Sequence, residues 1–331
     1  MPKFSIVVPV YNRPDEITEL LETLTQQTYK DFEVVVVEDG STIECKEEVM
    51  SFADRLDIKY YKKENEGQGF ARNFGYEKAS GEYFIVFDSD CLIPEYYLQA
   101  VNNYLEEAWV DAFGGPDSFH ESFTDLQKAI SHTMTSKLTT GGLRGGKKRV
   151  MGFHPRSFNM GISRKVFEKT KGYRIPFMGE DMEFSKRIID SGFKTALFPD
   201  AFVYHKRRTS LGKFSRQLKY FGRARVNLSR FHSGQLKLIH FLPIVFTLGT
   251  LITVLLAALG LMLGYVALGA LIIYLLAVAA GGLVRTKSPG AALLVPIVVL
   301  IQFFSYSSGL IYEWIRKLRG IDPNTKYIEL Y

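Results

Sequence analysis

Tyr83-Phe84-Ile85-Val86-Phe87-Asp88-Ser89-Asp90 is an apolar run of strand length that ends on two carboxylates one residue apart. On its N-terminal side, short apolar runs alternate with helical patterns. These are strand Phe4–Val10, helix near Asp15–Gln27, strand Phe32–Glu38, helix near Lys46–Ala53, strand Ile58–Lys62 and helix Phe70–Ala79. A further helix, Pro94–Glu107, follows the acidic pair. Such alternation predicts an α/β fold, a mostly parallel sheet covered by helices, with ligands gathering beyond the carboxyl ends of its strands. The first apolar run is too short for a secretory signal and gives way at once to Asn12-Arg-Pro-Asp-Glu, so it reads as a buried strand.

The charge of this 331-residue chain is divided along its length. Residues 1–200 hold 25 Lys/Arg and 32 Asp/Glu, whereas residues 201–331 hold 16 and 3, so the net +6 comes from the second part. A basic excess with so definite an address excludes a nucleic-acid binder with cations spread over its surface. The two cysteines, Cys45 and Cys91, have no spacing for a disulfide framework or a zinc site, and a reducing compartment suits them.

No residue between Phe241 and Val284 is charged, which at 1.5 Å per residue allows two helices of about 20 residues to cross a ~30 Å hydrocarbon layer. Two crossings are expected near 241–261 and 264–284, turning between Gly260 and Gly264, with a third at 291–312. Lys206, Arg207, Arg208, Lys213, Arg216, Lys219, Arg223, Arg225 and Arg230 precede the first of them and place the N-terminal domain in the cytoplasm. Three crossings would put Arg316, Lys317 and Arg319 outside, against the same rule; a third segment that dips without crossing would not. Between Thr209 and His240, cations alternate with Phe214, Leu218, Tyr220, Phe221, Val226, Leu228 and Phe231, which predicts helices lying in the headgroup plane with their apolar side down and Lys and Arg on anionic lipid. The expected domains are therefore a catalytic domain over 1–205, an interfacial segment over 206–240, membrane helices over 241–315 and a tail over 316–331.

The Asp88-Ser89-Asp90 pair, at a strand end, has the chemistry to hold Mg²⁺ or Mn²⁺ together with substrate phosphates, since hard cations take oxygen ligands. Glu38-Asp39-Gly40-Ser41 closes the strand Val34–Val37, where Asp39 can accept hydrogen bonds from a base or ribose or simply form an Asp-Gly turn. In Asn65-Glu-Gly-Gln-Gly-Phe-Ala-Arg-Asn73 the glycines let backbone approach a ligand, and Arg72 can face phosphate oxygens from a first helical turn. This is no dinucleotide fingerprint, because Arg72 stands where that motif needs a small residue. Gly141–Lys147 imitates a phosphate loop but has Lys148 in place of Ser or Thr; a mobile basic loop over 139–149 that closes over phosphates is the better expectation, with plain disorder as its equal alternative. Asp181 or Glu180, opening a helix, supplies the later acid cluster from which a base can be drawn, and His205 either completes the metal site or meets a headgroup.

Taken in order, Ser5-Ile-Val-Val-Pro-Val-Tyr-Asn12, Glu38-Asp-Gly-Ser41, Asn65-x-Gly-x-Gly-x-Ala-Arg-Asn73, Asp88-Ser-Asp90 and Gly179-Glu-Asp181 resemble the family 2 glycosyltransferases of the GT-A fold, over about the first 205 residues. The resemblance implies inverting transfer from a nucleotide-diphosphate sugar. Pro9, Tyr11 and Asn12 would flank the nucleotide, Asp39 would bind its base, Arg72, Asp88 and Ser89 would face the donor, Asp88 and Asp90 would hold the metal–diphosphate, and Asp181 would deprotonate the acceptor. Processive synthases of the family carry Gln-x-x-Arg-Trp, which Gln217-Leu-Lys-Tyr-Phe-Gly-Arg lacks, so single-sugar addition to a saccharide or lipid-linked acceptor at an inner (plasma) membrane is expected. A processive synthase, a sugar nucleotidyltransferase and a non-catalytic membrane scaffold are the rivals, the nucleotidyltransferase weakened by the absence of a Gly-rich loop after the first strand.

Overall fold

The computed structural model describes residues 2–141 and 151–321. The basic loop expected to close over phosphates lies largely outside these residues, as does most of the expected tail. The described elements, in order, are β1 (Phe4–Val10), α1 (Pro14–Thr25), β2 (Phe32–Asp39), α2 (Lys46–Met50), β3 (Ile58–Lys63), α3 (Gln68–Lys78), β4 (Tyr83–Phe87), β5 (Cys91–Leu92) and α4 (Tyr97–Glu107). Then come β6 (Ala112–Gly114), β7 (Asp117–Ser118), α5 (Asp125–Thr135), α6 (Lys137–Thr140), β8 (Asn159–Ser163), α7 (Arg164–Thr170), α8 (Glu180–Asp190), β9 (Thr195–Leu197) and β10 (Val203–His205). The helices α9 (Leu211–Phe231), α10 (Leu242–Ala258), α11 (Met262–Thr286) and α12 (Pro289–Leu318) complete the chain.

The chain forms two compact units, Met1–His120 with Gly145–Lys206, and Glu121–Arg144 with Arg207–Tyr331. In the first, a seven-stranded sheet runs β3-β2-β1-β4-β8-β6-β9. Strands β1 to β4 are parallel, and β8 runs against its neighbours β4 and β6. Every residue of β2 and β4 is buried, which is why Val34–Val37 and Tyr83–Phe87 are apolar at successive positions instead of alternating. Pro9 is tolerated in the central strand because β1 pairs with β4 only from Phe4 to Val7, so the missing N–H falls beyond that ladder. Strand order 3-2-1-4 makes the space between the ends of β1 and β4 a topological switch point, the place where ligands bind in open α/β sheets. A second sheet, β5-β10-β7, sets His205 opposite Cys91.

The second unit is helical. Helix α5 opens with a capping box between Thr124 and Gln127 and packs Ala129, Ile130 and Met134 into a core with Phe214, Leu218, Val278, Val295, Val298 and Val299. Sequence reasoning had no reason to join residues 121–144 to the C-terminal helices. Helix α9 departs from its expected role too: Phe214, Leu218, Val226 and Leu228 are buried within the protein instead of lying on lipid. The physical reason is α12, which offers a complementary surface. A methyl group at Gly309 would lie 1.9 Å from the Lys219 carbonyl oxygen, and one at Gly222 would lie 2.1 Å from that of Tyr306, so only glycine lets the two backbones approach.

Among the described residues three helices, Leu238–Ala258, Met262–Thr286 and Pro289–Leu318, are long and apolar enough to cross a membrane. The first two turn at Gly260, whose φ of +74° suits glycine, within the expected Gly260–Gly264 stretch. The third continues through Pro296 and is longer than the expected 291–312.

Candidate functional site

The site is built from the carboxyl ends of β1, β2 and β4. Beyond β1, Asn12 adopts φ +53° and its Oδ1 accepts hydrogen bonds from the N–H groups of Thr42 (2.8 Å) and Ile43 (2.9 Å). Its own N–H donates to Ser41 Oγ at 2.9 Å, so the first motif staples the turn that follows β2. Asp39 is buried, and its carboxylate accepts from the N–H groups of Glu66 (3.1 Å) and Gly67 (2.9 Å) and pairs with Lys63 at 3.2 Å. In this structure Asp39 thus shapes the loop leading into α3. Gly40, Ser41, Lys62, Lys63, Glu64 and Asn65 line an open groove of about 700 Å³ at this edge. Pro9 and Tyr11 are half-buried on the adjoining strand end.

At the end of β4 the two carboxylates have different partners. Asp88 accepts from Arg72 Nη2 at 2.8 Å, while Asp90 pairs with Arg13 Nη1 at 2.6 Å and with His205 Nε2 at 3.0 Å. The β5–β10 pairing explains the last contact: once His205 stands opposite Cys91, its ring reaches the neighbouring Asp90, and the Lys206 N–H donates to the Asp90 carbonyl at 2.9 Å. Phe158 stacks on the imidazole at 5.3 Å. Ser89 is buried between the two acids.

Whether these residues fit a divalent cation can be tested on the donors. Asp90, Cys91 and His205 each offer an atom within 4.8 Å of the others. Two ligands of a small octahedral ion at ~2.1 Å would be about 3 Å apart, and the Asp90 oxygen and His205 nitrogen are 3.0 Å apart. The thiol does not suit a hard ion: burial, then Asp90 and Asp88, push Cys91 well above its ordinary range, which keeps it protonated and pointed at the Phe158 carbonyl. Asp90 and His205 therefore fit Mg²⁺ or Mn²⁺, and Asp88 stands outside that group, held by Arg72.

Arg72 is fully buried, lies over the Tyr173 ring at 5.4 Å, and bridges Asp88 to Glu180, which its Nη1 reaches at 3.2 Å. Gly67, with φ +98°, begins its helix. Glu180 and Asp181 open α8 behind Gly179, in the first turn where the helix dipole favours acids. Their situations differ. Glu180 is buried and accepts from Gln68 Nε2 as well as Arg72, whereas Asp181 is partly exposed and faces Arg156 at 3.6 Å. Its Oδ1 accepts from the Met182 N–H at 2.7 Å.

Burial and the adjacent Asp181 push the Glu180 carboxyl up to about 7, against Arg72 and Gln68, which pull it down. A folded-state value above the ordinary 4.5 means that the native protein keeps a proton the unfolded chain releases. The stability this supplies is complete below about pH 4.5 and is lost as pH rises through about 7. Glu180→Gln is therefore expected to lessen the fall in Tm between mildly acidic and mildly alkaline buffer, and thermal unfolding of both proteins across that range checks it. An unchanged pH slope would count against the assigned environment.

The sequence reading missed Arg13, Gln68, Arg156 and Phe158. Arg13 was within reach, because it follows Tyr11-Asn12 at a strand end; the others depend on contacts between distant segments.

The sequence matches the model of Glycosyl transferase family 2 over residues 5–171, a little over half of the chain. An uncharacterized glycosyltransferase of Rickettsia bellii is 38% identical over 105 residues, 32% of this chain and 15% of the relative, so the likeness spans less than a fifth of that protein. Glycosyltransferase AglE of Haloferax volcanii is 27% identical over 227 residues, 63% of this chain and 68% of the relative. Among solved structures, the mannosyltransferase PcManGT of Pyrobaculum calidifontis, determined with GDP-Man and Mn²⁺, aligns over 97% of this chain and 88% of its own with a TM-score of 0.57 at 19% identity, a likeness of fold. With the mostly parallel sheet and its switch point, these matches show that the chain belongs to glycosyltransferase family 2 and has the GT-A fold.

Proposed function

We propose that the chain is an inverting glycosyltransferase that moves a single sugar from a nucleotide-diphosphate donor to a hydroxyl or phosphate of a lipid-linked acceptor at the cytoplasmic face of the inner membrane. The observation that carries this reading is the meeting of Asp90, His205, Arg13, Asp88 and Arg72 at the switch point, where cations and cation ligands converge on one strand edge. Asp90 and His205 would hold Mg²⁺ or Mn²⁺, the latter being the ion bound with GDP-Man in PcManGT. Bound there, such an ion would supply positive charge to offset the negative charge on a departing diphosphate.

The remaining roles fall to the protein. Arg72, fixed by Glu180 and Tyr173, and Arg13 supply guanidinium donors for phosphate oxygens. Asp39 and Asn12 hold Lys63 and Ser41, two of the residues that line the groove beside Gly40, which has room for a base and ribose, and Tyr11 stands on the neighbouring strand end. Asp181 takes the acceptor's proton: its carboxylate is partly exposed, whereas Glu180 is buried and engaged. The apolar helices explain a membrane-bound acceptor, and the cations before Leu238 favour the cytoplasmic face.

Mass spectrometry of the product made by purified enzyme with a polyprenyl-phosphate acceptor tests the reading. One added sugar and release of a nucleoside diphosphate are expected. A ladder of sugars would favour a processive synthase, pyrophosphate release a nucleotidyltransferase, and equal activity on a short water-soluble acceptor would remove the lipid from the account.

A further inference from the structure

Helix α12 has the length and composition of a third membrane crossing, yet its two ends touch segments that belong to one face of the bilayer. Among the described residues nothing before Leu238 is long and apolar enough to cross, and residues 142–150 hold four cations in nine positions. Helices α5 and α9 therefore stand on the same face. At the start of α12, Ser288 Oγ donates to Asp125, the first residue of α5. Near its end, Glu313 accepts from Arg223 and Arg230 of α9, both at 3.0 Å, and Lys317 donates to Ser229 Oγ at 2.7 Å.

Thirty residues of helix extend about 45 Å, more than the ~30 Å of hydrocarbon, so a crossing α12 would put these ends on opposite faces. The contacts in between agree. Ser305 meets Ser215 at 2.8 Å, and α9 follows α12 from there to Lys317. Trp314 packs on Phe241 at 5.7 Å and Ser307 meets Thr247 at 3.1 Å, so the second half of α12 sits against the first turns of α10. A crossing α12 would draw α9 into the bilayer with Lys213, Arg216, Lys219, Arg223, Arg225 and Arg230, against which the pair offers one carboxylate, Glu313.

We propose that α12 lies along the bilayer surface, so that among the described residues only α10 and α11 cross, and that α12 seats its exposed apolar stripe at the boundary between headgroups and acyl chains on the face that carries α9. The stripe is Leu293, Ile297, Ile311, Ile315 and Leu318, all exposed and all on one side of the helix, with half-buried Leu300 and Phe304 filling the same side between Ile297 and Ile311. The apolar side chains of α10 and α11 are also largely exposed. Tyr312 and Trp314 have the amphipathic rings that collect at this depth, and Arg316, Lys317 and Arg319 fall among the headgroups of the same face. Much of the helix's apolarity is spent inside the protein: 44% of its most apolar window is buried, against none for α10.

Labelling of the full chain in sealed membrane vesicles with an impermeant maleimide tests this. Cys45 and Cys91 are buried, so the unsubstituted chain gives the background. Ser233→Cys reports the face of α9 and Met262→Cys the opposite one. Arg319→Cys is expected to follow Ser233→Cys, reacting several-fold faster than Met262→Cys wherever Ser233→Cys does; reactivity that follows Met262→Cys overturns the proposal. A second reading uses Phe304→Trp, at the middle of α12, with Trp109→Phe and Trp314→Phe removing the other indoles. Its fluorescence is expected to be quenched most by lipids brominated near the headgroup, and strongest quenching by bromines at the bilayer centre would mean that the helix crosses.

Discussion

Asp181→Ala is expected to lower kcat by about 10²- to 10⁴-fold, the range a positioned general base contributes, while leaving the donor's Kd within a few-fold of the wild type. The asymmetry follows from geometry. Asp181 faces Arg156 and solvent, whereas the groups assigned to the donor are held through Arg72, Arg13 and His205. Removing the Asp181 carboxylate leaves every one of those ion pairs in place. Single-turnover kinetics beside equilibrium donor binding separates the two effects, and a donor affinity lost along with turnover would mean that Asp181 serves the donor instead.

Asp90→Ala should do the reverse. Its carboxylate is at once the partner of Arg13 and the oxygen donor beside His205, so its loss takes away a ligand and frees a guanidinium in the same place. Metal-dependent donor binding is expected to weaken by at least ~100-fold, the upper end of what loss of an outer-shell partner costs a metal site. Donor titrations at fixed Mn²⁺ measure it. Binding that survives in Asp90→Ala and still responds to Mn²⁺ would move the ion elsewhere. Asp88→Ala makes an instructive comparison, since Arg72 would lose a partner there while Asp90 and His205 keep theirs.

Most of the sheet was legible because buried parallel strands announce themselves. Ile6–Val10, Val34–Val37 and Tyr83–Phe87 are apolar without alternation, and each is followed by residues that only a ligand or a turn would place there. The acids and glycines of the site could be read for the same reason, since they interrupt apolar runs at strand ends. What stayed hidden was pairing. That Arg13 holds Asp90, that Arg72 joins Asp88 to Glu180, and that β10 brings His205 to Cys91 all depend on which strand lies beside which.

The helical unit shows the limit most plainly. Hydropathy measures how apolar a segment is but not what it packs against. Phe214 and Leu218 looked like a lipid-facing stripe, yet they close on Val295, Val298 and Val299. The glycines that permit this approach, Gly222 and Gly309, carry no hydropathy signal of their own. Likewise Glu313, one acid in a basic and apolar region, gave no hint that it gathers Arg223, Arg230 and Arg316 around it.

The claim on which the rest depends is that a divalent cation at Asp90 and His205 joins the donor's diphosphate to the protein. Thermal unfolding of the purified chain with nucleoside diphosphates, with and without Mn²⁺, tests it most directly, because a ligand bound only to the native state raises Tm by mass action. A rise in Tm that requires both nucleotide and metal, and that Asp90→Ala abolishes, is the predicted result; a nucleotide-induced rise that persists unchanged in excess chelator would contradict the account.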